Sequence, residues 1–190
     1  MKRLVLFVLI ACSSAPAAVA AAERFDPCSL LTRREIQEIQ KDRVVSTKAS
    51  EPERDRFAVS QCFYTLATFS KSISLEVTRR RAGEAESPRE HWKQMFGRAL
   101  EKGKEKEAEA EKGERGDEAE REREREGGSR PLSVSGIGEE AFWDGSALGG
   151  GLFVRKGDAY LRLSIGGPDP VPVKIERLKK LARYALRRLP

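Results

Sequence analysis

The sequence contains little of what metal-dependent and histidine-dependent chemistry needs. Its 190 residues include one histidine and three cysteines, and no H-E-x-x-H, paired C-x-x-C or EF-hand spacing occurs among them. Beyond the N-terminus, no apolar run approaches the roughly 20 residues that a membrane-spanning helix requires. We therefore predict no metal site, no cofactor and no transmembrane helix in the mature chain.

Catalytic residues are equally scarce. His91 has no Ser or Cys nucleophile close to it in the sequence, so we interpret it as a structural residue. Gly149–Gly151 lacks the phosphate-loop pattern and precedes a strand rather than a helix. A small hydrolase with carboxylates near Glu140 and Asp144 is the alternative, although the adjacent Glu139 and Glu140 would point to opposite faces of a strand. We predict that the protein has no catalytic site and is not an enzyme.

The first 22 residues have the parts of a secretory signal. A basic start at Met1–Arg3 precedes a short apolar run at 4–11 and a stretch of small residues. Cleavage after this segment predicts a single mature domain at 23–190, in the periplasm or outside the cell. Because Leu9-Ile10-Ala11-Cys12 also matches a lipobox, a membrane-anchored lipoprotein with a lipidated Cys12 is the alternative.

Export leaves two cysteines in the mature chain, Cys28 and Cys62. Two thiols in an oxidising compartment most often form a disulfide. Such a bridge closes a loop of about 35 residues, which would stabilise the fold by about 3–4 kcal/mol.

The charges are segregated along the chain, whose net charge is +6. Residues 101–126 carry 12 acidic and eight basic side chains, and we interpret 101–128 as a charged low-complexity insertion. Residues 174–188 carry seven Lys or Arg against Glu176. This basic helix predicts an anionic partner or membrane surface, although a solvated helix face gives the same pattern. Export and the acidic insertion argue against nucleic acid.

Two capping boxes mark helix starts, at Thr32–Glu35 and at Ser87–Glu90. The first predicts a helix over about 33–40. The second begins a helix with a stripe of apolar residues that ends at Leu100. A final helix has its own buried stripe, consisting of Ile175, Leu178, Ala182, Ala185 and Leu189.

Alternating residues predict two hairpins. A turn at Ser70-Lys71 would pair Leu66 with Leu75 and Tyr64 with Val77. The second hairpin has a two-residue turn at Gly157-Asp158. We predict further strands at 132–134 and 140–143, and a loop over about 41–56 with a short strand at Val44-Val45.

These elements predict an α+β domain, a mainly antiparallel sheet with helices packed on one side. The order helix, hairpin, helix, strands, hairpin, helix is also compatible with two hairpin–helix units.

One strand face of the second hairpin is a candidate contact patch. The Gly157-Asp158 turn pairs Arg155 with Tyr160 and Phe153 with Arg162, which places guanidinium groups beside aromatic rings. These four residues would bind a partner if exposed. The alternative is that they pack beneath a helix or a neighbouring loop.

Several short motifs resemble a family of small bacterial secreted proteins and lipoproteins of unknown function. Asp26-Pro27-Cys28-Ser29-Leu30-Leu31-Thr32 is similar to the family's D-P-C-x-L-L-T helix start, and Cys62-Phe63-Tyr64 to its C-x-Y strand. Gly136–Phe142 and Phe153–Asp158 resemble its second half. The resemblance implies export, a Cys28–Cys62 bridge and a sandwich-like α+β fold, but no activity.

Together these observations predict an exported, non-enzymatic envelope domain that binds an unknown protein, another envelope component or an envelope surface. A peripheral protein that binds anionic membranes through the basic helix at 174–188 is an alternative, and the hydrolase is another.

Overall fold

The structure, a computed structural model, describes residues 25–50, 53–54, 56–81, 83–110, 131–145 and 149–190. The expected signal segment at 1–22, with Cys12, and residues 111–128 of the expected insertion lie outside these ranges. The helices are α1 (Arg33–Gln40), α2 (Pro88–Ala110) and α3 (Val171–Arg188), with 3₁₀ turns at Pro27–Leu30 and Phe69–Lys71. The strands are β1 (Val44–Ala49), β2 (Glu53–Arg54), β3 (Ala58–Leu66), β4 (Ile73–Arg79), β5 (Leu132–Ser133), β6 (Glu140–Gly145), β7 (Gly150–Lys156) and β8 (Ala159–Ile165).

All eight strands belong to one antiparallel sheet. Seven of them follow the order β1-β3-β4-β8-β7-β6-β5, and β2 pairs with the same edge of β3 as β1. The two hairpins, β3–β4 and β7–β8, meet at the centre because β4 pairs with β8. The α+β class with a mainly antiparallel sheet is therefore confirmed.

The helices cover both faces of the sheet, which corrects the expectation that all of them lie on one side. In β6, Ala141 and Trp143 belong to the large aliphatic core, with α1 and α3 packed over it. Phe142, between them, belongs to a separate cluster with Trp92 and Phe96 of α2. Because successive strand residues point to opposite faces, α2 lies on the face opposite α1 and α3. Two hairpin–helix units do occur in order, but their helices cover different faces.

The register of the second hairpin is confirmed. Phe153 pairs with Arg162 and Arg155 with Tyr160, and Gly157 adopts a φ of 60° that favours glycine in the tight turn. The two-residue turn fixes the register by itself.

The predicted register of the first hairpin is wrong by four residues. Tyr64 pairs with Ile73 rather than Val77, and Leu75 pairs with Cys62 rather than Leu66. The chain turns through a 3₁₀ turn at Phe69–Lys71 instead of a two-residue turn at Ser70-Lys71, which lengthens the connection. Because four is an even number, each side chain still lies on the expected face.

Both capping boxes are present. In α1, Thr32 Oγ1 accepts a hydrogen bond from the Glu35 amide (3.2 Å), and the Thr32 amide donates to Glu35 Oε2 (2.9 Å). Ser87 and Glu90 make the same reciprocal pair at the start of α2. The first box starts a helix with the predicted bounds, 33–40.

The region predicted as a loop over 41–56 contains strands β1 and β2. Only Val44 of β1 is buried, so the segment has no apolar alternation that would reveal a strand. Its strand conformation depends on backbone pairing with β3, for example Thr47 opposite Tyr64. The first ten residues of the expected insertion continue α2 to Ala110.

Candidate ligand-binding groove

The predicted disulfide joins Cys28 to Cys62, with an S–S distance of 1.98 Å and a Cα–Cα distance of 5.1 Å. It links the 3₁₀ turn before α1 to strand β3. The hydroxyl of Tyr64, two residues further along β3, donates to the Cys28 carbonyl at 3.2 Å. Burial raises the pKa of Tyr64 above its ordinary value. The bridge and this hydrogen bond fix the start of α1 against the sheet.

The four residues of the candidate contact patch lie on one face of the β7–β8 hairpin, partly beneath α2. Tyr160 belongs to the cluster with Trp92, Phe96 and Phe142, hereafter the aromatic cluster, and Phe153 packs against it. The Arg162 guanidinium lies 5.6 Å from the centroid of the Phe153 ring. At least Phe153 and Tyr160 therefore pack beneath a helix, which is the alternative to a role in binding a partner.

Arg155, the fourth patch residue, is buried in an ion-pair network. Only 7% of its side chain is exposed. Its Nη1 atom lies 2.6 Å from Glu139 Oε2 and its Nε atom 3.1 Å from Glu140 Oε2. The Gly157 amide, which donates to Glu139 at 2.7 Å, and the Arg155 guanidinium lower the pKa of Glu139. Arg155 thus has two carboxylate partners within the domain.

Glu139 and Glu140 would point to opposite faces only if both lay in one extended strand, and that condition is not met. Glu139 precedes β6 rather than lying in it, and it follows Gly138, whose φ is 62°. The turn at this glycine lets both carboxylates reach Arg155.

The arrangement of Glu140 and Asp144 does not favour the hydrolase alternative. They lie four residues apart in β6, which separates their Cα atoms by about 13 Å at the rise of an extended strand. Two-carboxylate glycoside hydrolysis places the groups no more than about 9.5 Å apart. Glu140 is also held by Arg155.

His91 lies in the first turns of α2 and is half-buried. Its ring centroid lies 5.1 Å from that of Phe57 and 6.4 Å from that of Tyr160. Its Nδ1 atom is 3.8 Å from Glu86 Oε1. These contacts place the histidine at the rim of the aromatic cluster.

Most of the basic residues of the last helix contribute to a groove between α1 and α3. The groove has a volume of about 540 Å³. Arg177, Lys180, Arg183, Tyr184 and Arg187 of α3 line it, opposite Glu38, Ile39 and Lys41 at the end of α1. We call this set the cationic groove, because five cations face it and Glu38 is the one carboxylate in the lining.

The cations of the cationic groove differ in how firmly they are held. Arg177 pairs with Asp169 at 2.7 Å, and Arg183 donates to the Gly136 carbonyl at 3.3 Å. The Arg187 guanidinium lies 4.8 Å from the Tyr184 ring centroid. Within the described part of the chain, the exposed Lys41 and Lys180 form no salt bridge. The groove therefore combines positioned guanidinium groups with two ammonium groups that can turn toward a ligand.

One wall of the cationic groove is held to the other by an ion pair. Arg188 of α3 contacts both carboxylate oxygens of Glu35 in α1, at 2.7 and 2.9 Å, and donates to the Leu30 carbonyl. Burial alone would raise the pKa of Glu35, but the hydrogen bonds from Arg188 and Thr32 outweigh it and hold the pKa below its usual value. The ion pair fixes the distance between the two helices.

The remaining basic residues of the last helix do not line the cationic groove. Lys174 is buried, with 1% of its surface exposed, and Lys179 pairs with Glu176 at 3.0 Å. The sequence showed the charge of this helix but not its partner α1. A helical wheel places residues 177, 180, 184 and 187 on one stripe of the helix. This stripe is the feature of the sequence from which the α3 wall of the groove could have been predicted.

In the part of the chain that the structure describes, no cluster of three or more His, Cys, Asp or Glu side chains is arranged to hold a metal ion. No helix there is both long enough and apolar enough to cross a membrane.

Comparison with models of known protein families, with curated proteins and with solved structures finds no match. The resemblance to a family of bacterial secreted proteins therefore stays a prediction, and the geometry of the cationic groove is the basis for the function proposed below.

Proposed function

We propose that the protein is an exported, non-enzymatic domain that binds an anionic component of the cell envelope through the cationic groove. The observation that carries this proposal is the convergence of five cations from two helices on one concave surface with a single carboxylate. Positive charge concentrated in a cleft focuses the electrostatic field and attracts anionic ligands.

Export is supported by the signal-like residues at 1–22 and by the cysteines. A disulfide such as Cys28–Cys62 persists mainly in oxidising compartments, which include the bacterial periplasm and the cell exterior. An exported domain meets anionic lipids, polysaccharides and other polymers of the envelope before it meets nucleic acid. The envelope is therefore the place where a cationic groove would find its ligand.

The cationic groove suits binding better than catalysis. Its lining provides ammonium and guanidinium groups, which hold anions, but one carboxylate and no histidine, cysteine or serine. Histidine, cysteine and serine are common general bases and nucleophiles, but Glu38, the two lysines and Tyr184 belong to residue types that can also serve. The proposal therefore rests on the five cations rather than on missing catalytic groups. The proposal thus assigns the groove a holding role.

The test compares two charge-reversed proteins that have the same net charge. Lys180→Glu/Arg183→Glu alters exposed residues of the cationic groove, and Lys93→Glu/Arg98→Glu alters exposed residues of α2 on the other side of the sheet. Each is mixed with envelope particles from an exporting host, and the bound fraction is measured by co-sedimentation at low and high salt. Since each surface cation contributes about 1 kcal/mol, the groove variant should bind about tenfold or more weakly than wild type.

The α2 variant should bind like wild type, and salt should weaken all binding. Equal losses in the two variants would mean that net charge, not the cationic groove, attracts the protein. A wild-type protein that does not sediment with the particles at low salt would contradict the proposal directly.

A further inference from the structure

We propose that the ligand of the cationic groove is a linear acidic polysaccharide, a chain with one carboxylate on each sugar, lying along α3. This inference rests on the proposed function, because it names the chemical class of the anion. It is drawn from the spacing of the cations, the size of the groove and the side chains between the cations.

The cations of α3 form a row rather than a point. Arg177, Lys180, Arg183 and Arg187 of α3 all line the groove, and the ten residue steps from the first to the last of them span about 15 Å of helix. Neighbours three or four residues apart are about 5–6 Å from each other at Cβ, which is comparable with the length of one sugar ring. A single small anion would contact only part of this row, whereas a chain with regularly spaced anions can pair with all of it.

The volume of the groove points the same way. About 540 Å³ falls within the range of roughly 300–1,000 Å³ in which proteins hold whole organic ligands. That space is far larger than one phosphate or sulfate ion. Lys41, on the α1 wall, adds a cation opposite the row, so a chain in the groove would have positive charge on both sides.

The side chains between the cations favour sugar over a purely ionic polymer. Ile39 of α1 and Tyr184 of α3 are half-buried in the groove lining, and both also pack against the aliphatic core. Sugar rings present apolar C–H faces beside their polar edges, so they can pack on these two residues. Polyphosphate has no such face. A flat membrane is also a poor fit, because neither residue protrudes as an anchor for insertion.

Three of the five cations are arginines, which suits an anion with paired oxygens, a carboxylate or equally a phosphate. The planar guanidinium fork donates two parallel hydrogen bonds to a carboxylate, which an ammonium group cannot do. Arg177 and Arg183 are already positioned by Asp169 and by the Gly136 carbonyl, which lowers the entropic cost of fixing them on a ligand.

The experiment is a calorimetric titration of the mature, disulfide-bonded protein with galacturonic acid and its trimer and hexamer. The hexamer of glucose serves as the neutral control, and a linear phosphate hexamer and anionic lipid vesicles are the alternative anions. We expect the uronate hexamer to bind at least about tenfold more tightly than the monomer, because successive contacts become intramolecular. The neutral hexamer should not bind measurably.

Tyr184 separates sugar packing from charge attraction. Tyr184→Ala removes the ring beneath Arg187, so it should weaken binding of both hexamers, but binding of the uronate hexamer at least severalfold more than binding of the phosphate hexamer. Tyr184→Phe, which keeps the ring, should retain both. Thermal unfolding of both variants checks that the fold is intact. If Tyr184→Ala unfolds, competition between the two hexamers on the wild-type protein decides the preference.

The outcomes separate this inference from the function on which it rests. Equal or tighter binding of the phosphate hexamer, with Tyr184→Ala weakening both hexamers equally, would overturn the assignment of a polysaccharide ligand while the anion-binding function stands. Binding to anionic vesicles alone would also overturn it and would identify the membrane as the partner. If none of these anions binds at low salt, both proposals are wrong.

Discussion

The two helical layers that cover the sheet are built from different side chains. Beneath α1 and α3 lies a large core that is mostly aliphatic. Beneath α2 lies the aromatic cluster, where the Phe96 and Phe142 rings stack with centroids 4.8 Å apart and an interplanar angle of 9°. The core beneath α1 and α3 has many more buried members than the aromatic cluster, which consists of four buried rings with Ala99 and Phe153 packed against them. Each residue of the aromatic cluster should therefore matter more to the attachment of its helix.

The outer surfaces of the two layers differ as well. The α1–α3 layer has a concave surface lined by five cations. In α2, the exposed residues Lys93 and Arg98 lie on the surface of a single helix. Because the cationic groove needs two helices side by side, only the α1–α3 layer provides it. The comparison assigns anion binding to one layer and a covering role to the other.

The largest effect should come from the aromatic cluster. Trp92→Ala removes a fully buried ring that contacts Phe96, Phe142 and Tyr160, so the free energy of unfolding should fall by about 3–5 kcal/mol. Met95→Ala, on the same helix but 37% exposed, is the control and should cost far less. Urea unfolding measures both. Similar losses for the two variants would show that α2 is not attached through its tryptophan.

The next effect concerns the attachment of α1. Replacing both cysteines, as Cys28→Ala/Cys62→Ala, should reduce the free energy of unfolding by about 3–4 kcal/mol, since the cross-link closes a loop between residues 34 apart. Reduction of the wild-type protein should lower the urea midpoint in the same way. An unchanged midpoint after complete reduction would mean that the bridge does not stabilise the α1 side.

A smaller effect is expected where Glu35 caps α1 and binds α3. Glu35→Gln removes the charge from the capping box and from the Arg188 pair, which should cost about 1–2 kcal/mol at neutral pH. Because the folded-state pKa of Glu35 lies below its ordinary value of 4.5, its charge stabilises the fold above that value. The stabilisation is lost as the pH falls through the lower, folded-state pKa.

The difference between wild type and Glu35→Gln should therefore shrink on acidification, which urea unfolding at several pH values measures. Glu38→Gln in the same helix is the control. A constant difference down to the lowest pH that still allows folding would contradict the assigned role of the Glu35 carboxylate.

The smallest effect on stability should come from the cationic groove itself. Lys180 and Arg183 are exposed, so Lys180→Glu/Arg183→Glu should change the free energy of unfolding by only about 0.5 kcal/mol per site, although it should weaken ligand binding about tenfold or more. A loss as large as that of Trp92→Ala would make the groove residues part of the structural framework rather than a binding surface.

Local signals in the sequence were enough for much of the fold. The reciprocal capping pairs at Thr32 and Ser87 identified helix starts, and Gly157-Asp158 set the register of the β7–β8 hairpin. The first hairpin was misjudged because nothing local distinguishes a 3₁₀ turn at Phe69–Lys71 from a tight turn two residues long. Strand β1 was underestimated because its exposed residues obtain their conformation from β3, which is distant in sequence.

The cationic groove depends on tertiary structure in the same way. Its α3 residues were visible as a basic helix, but the groove requires α3 to lie beside α1, where both helices pack on the aliphatic core and Arg188 pairs with Glu35. The face covered by α2 was also misjudged, since Phe153 and Tyr160 could be assigned to one strand face but not to a helix packed over it. The residue pattern within one helix or strand can be read from neighbouring positions in the sequence. Which helix packs against which strand face depends on residues that are distant in sequence.

The most direct test of the account is a map of ligand contacts by amide chemical shifts. The mature, oxidised protein would be titrated with the uronate hexamer while its backbone amide signals are followed. We predict that the largest changes occur at residues 38–41 and 177–187, with little change in 88–99 of α2. Changes centred on α2 or spread evenly over the surface would contradict the assignment of binding to the α1–α3 layer.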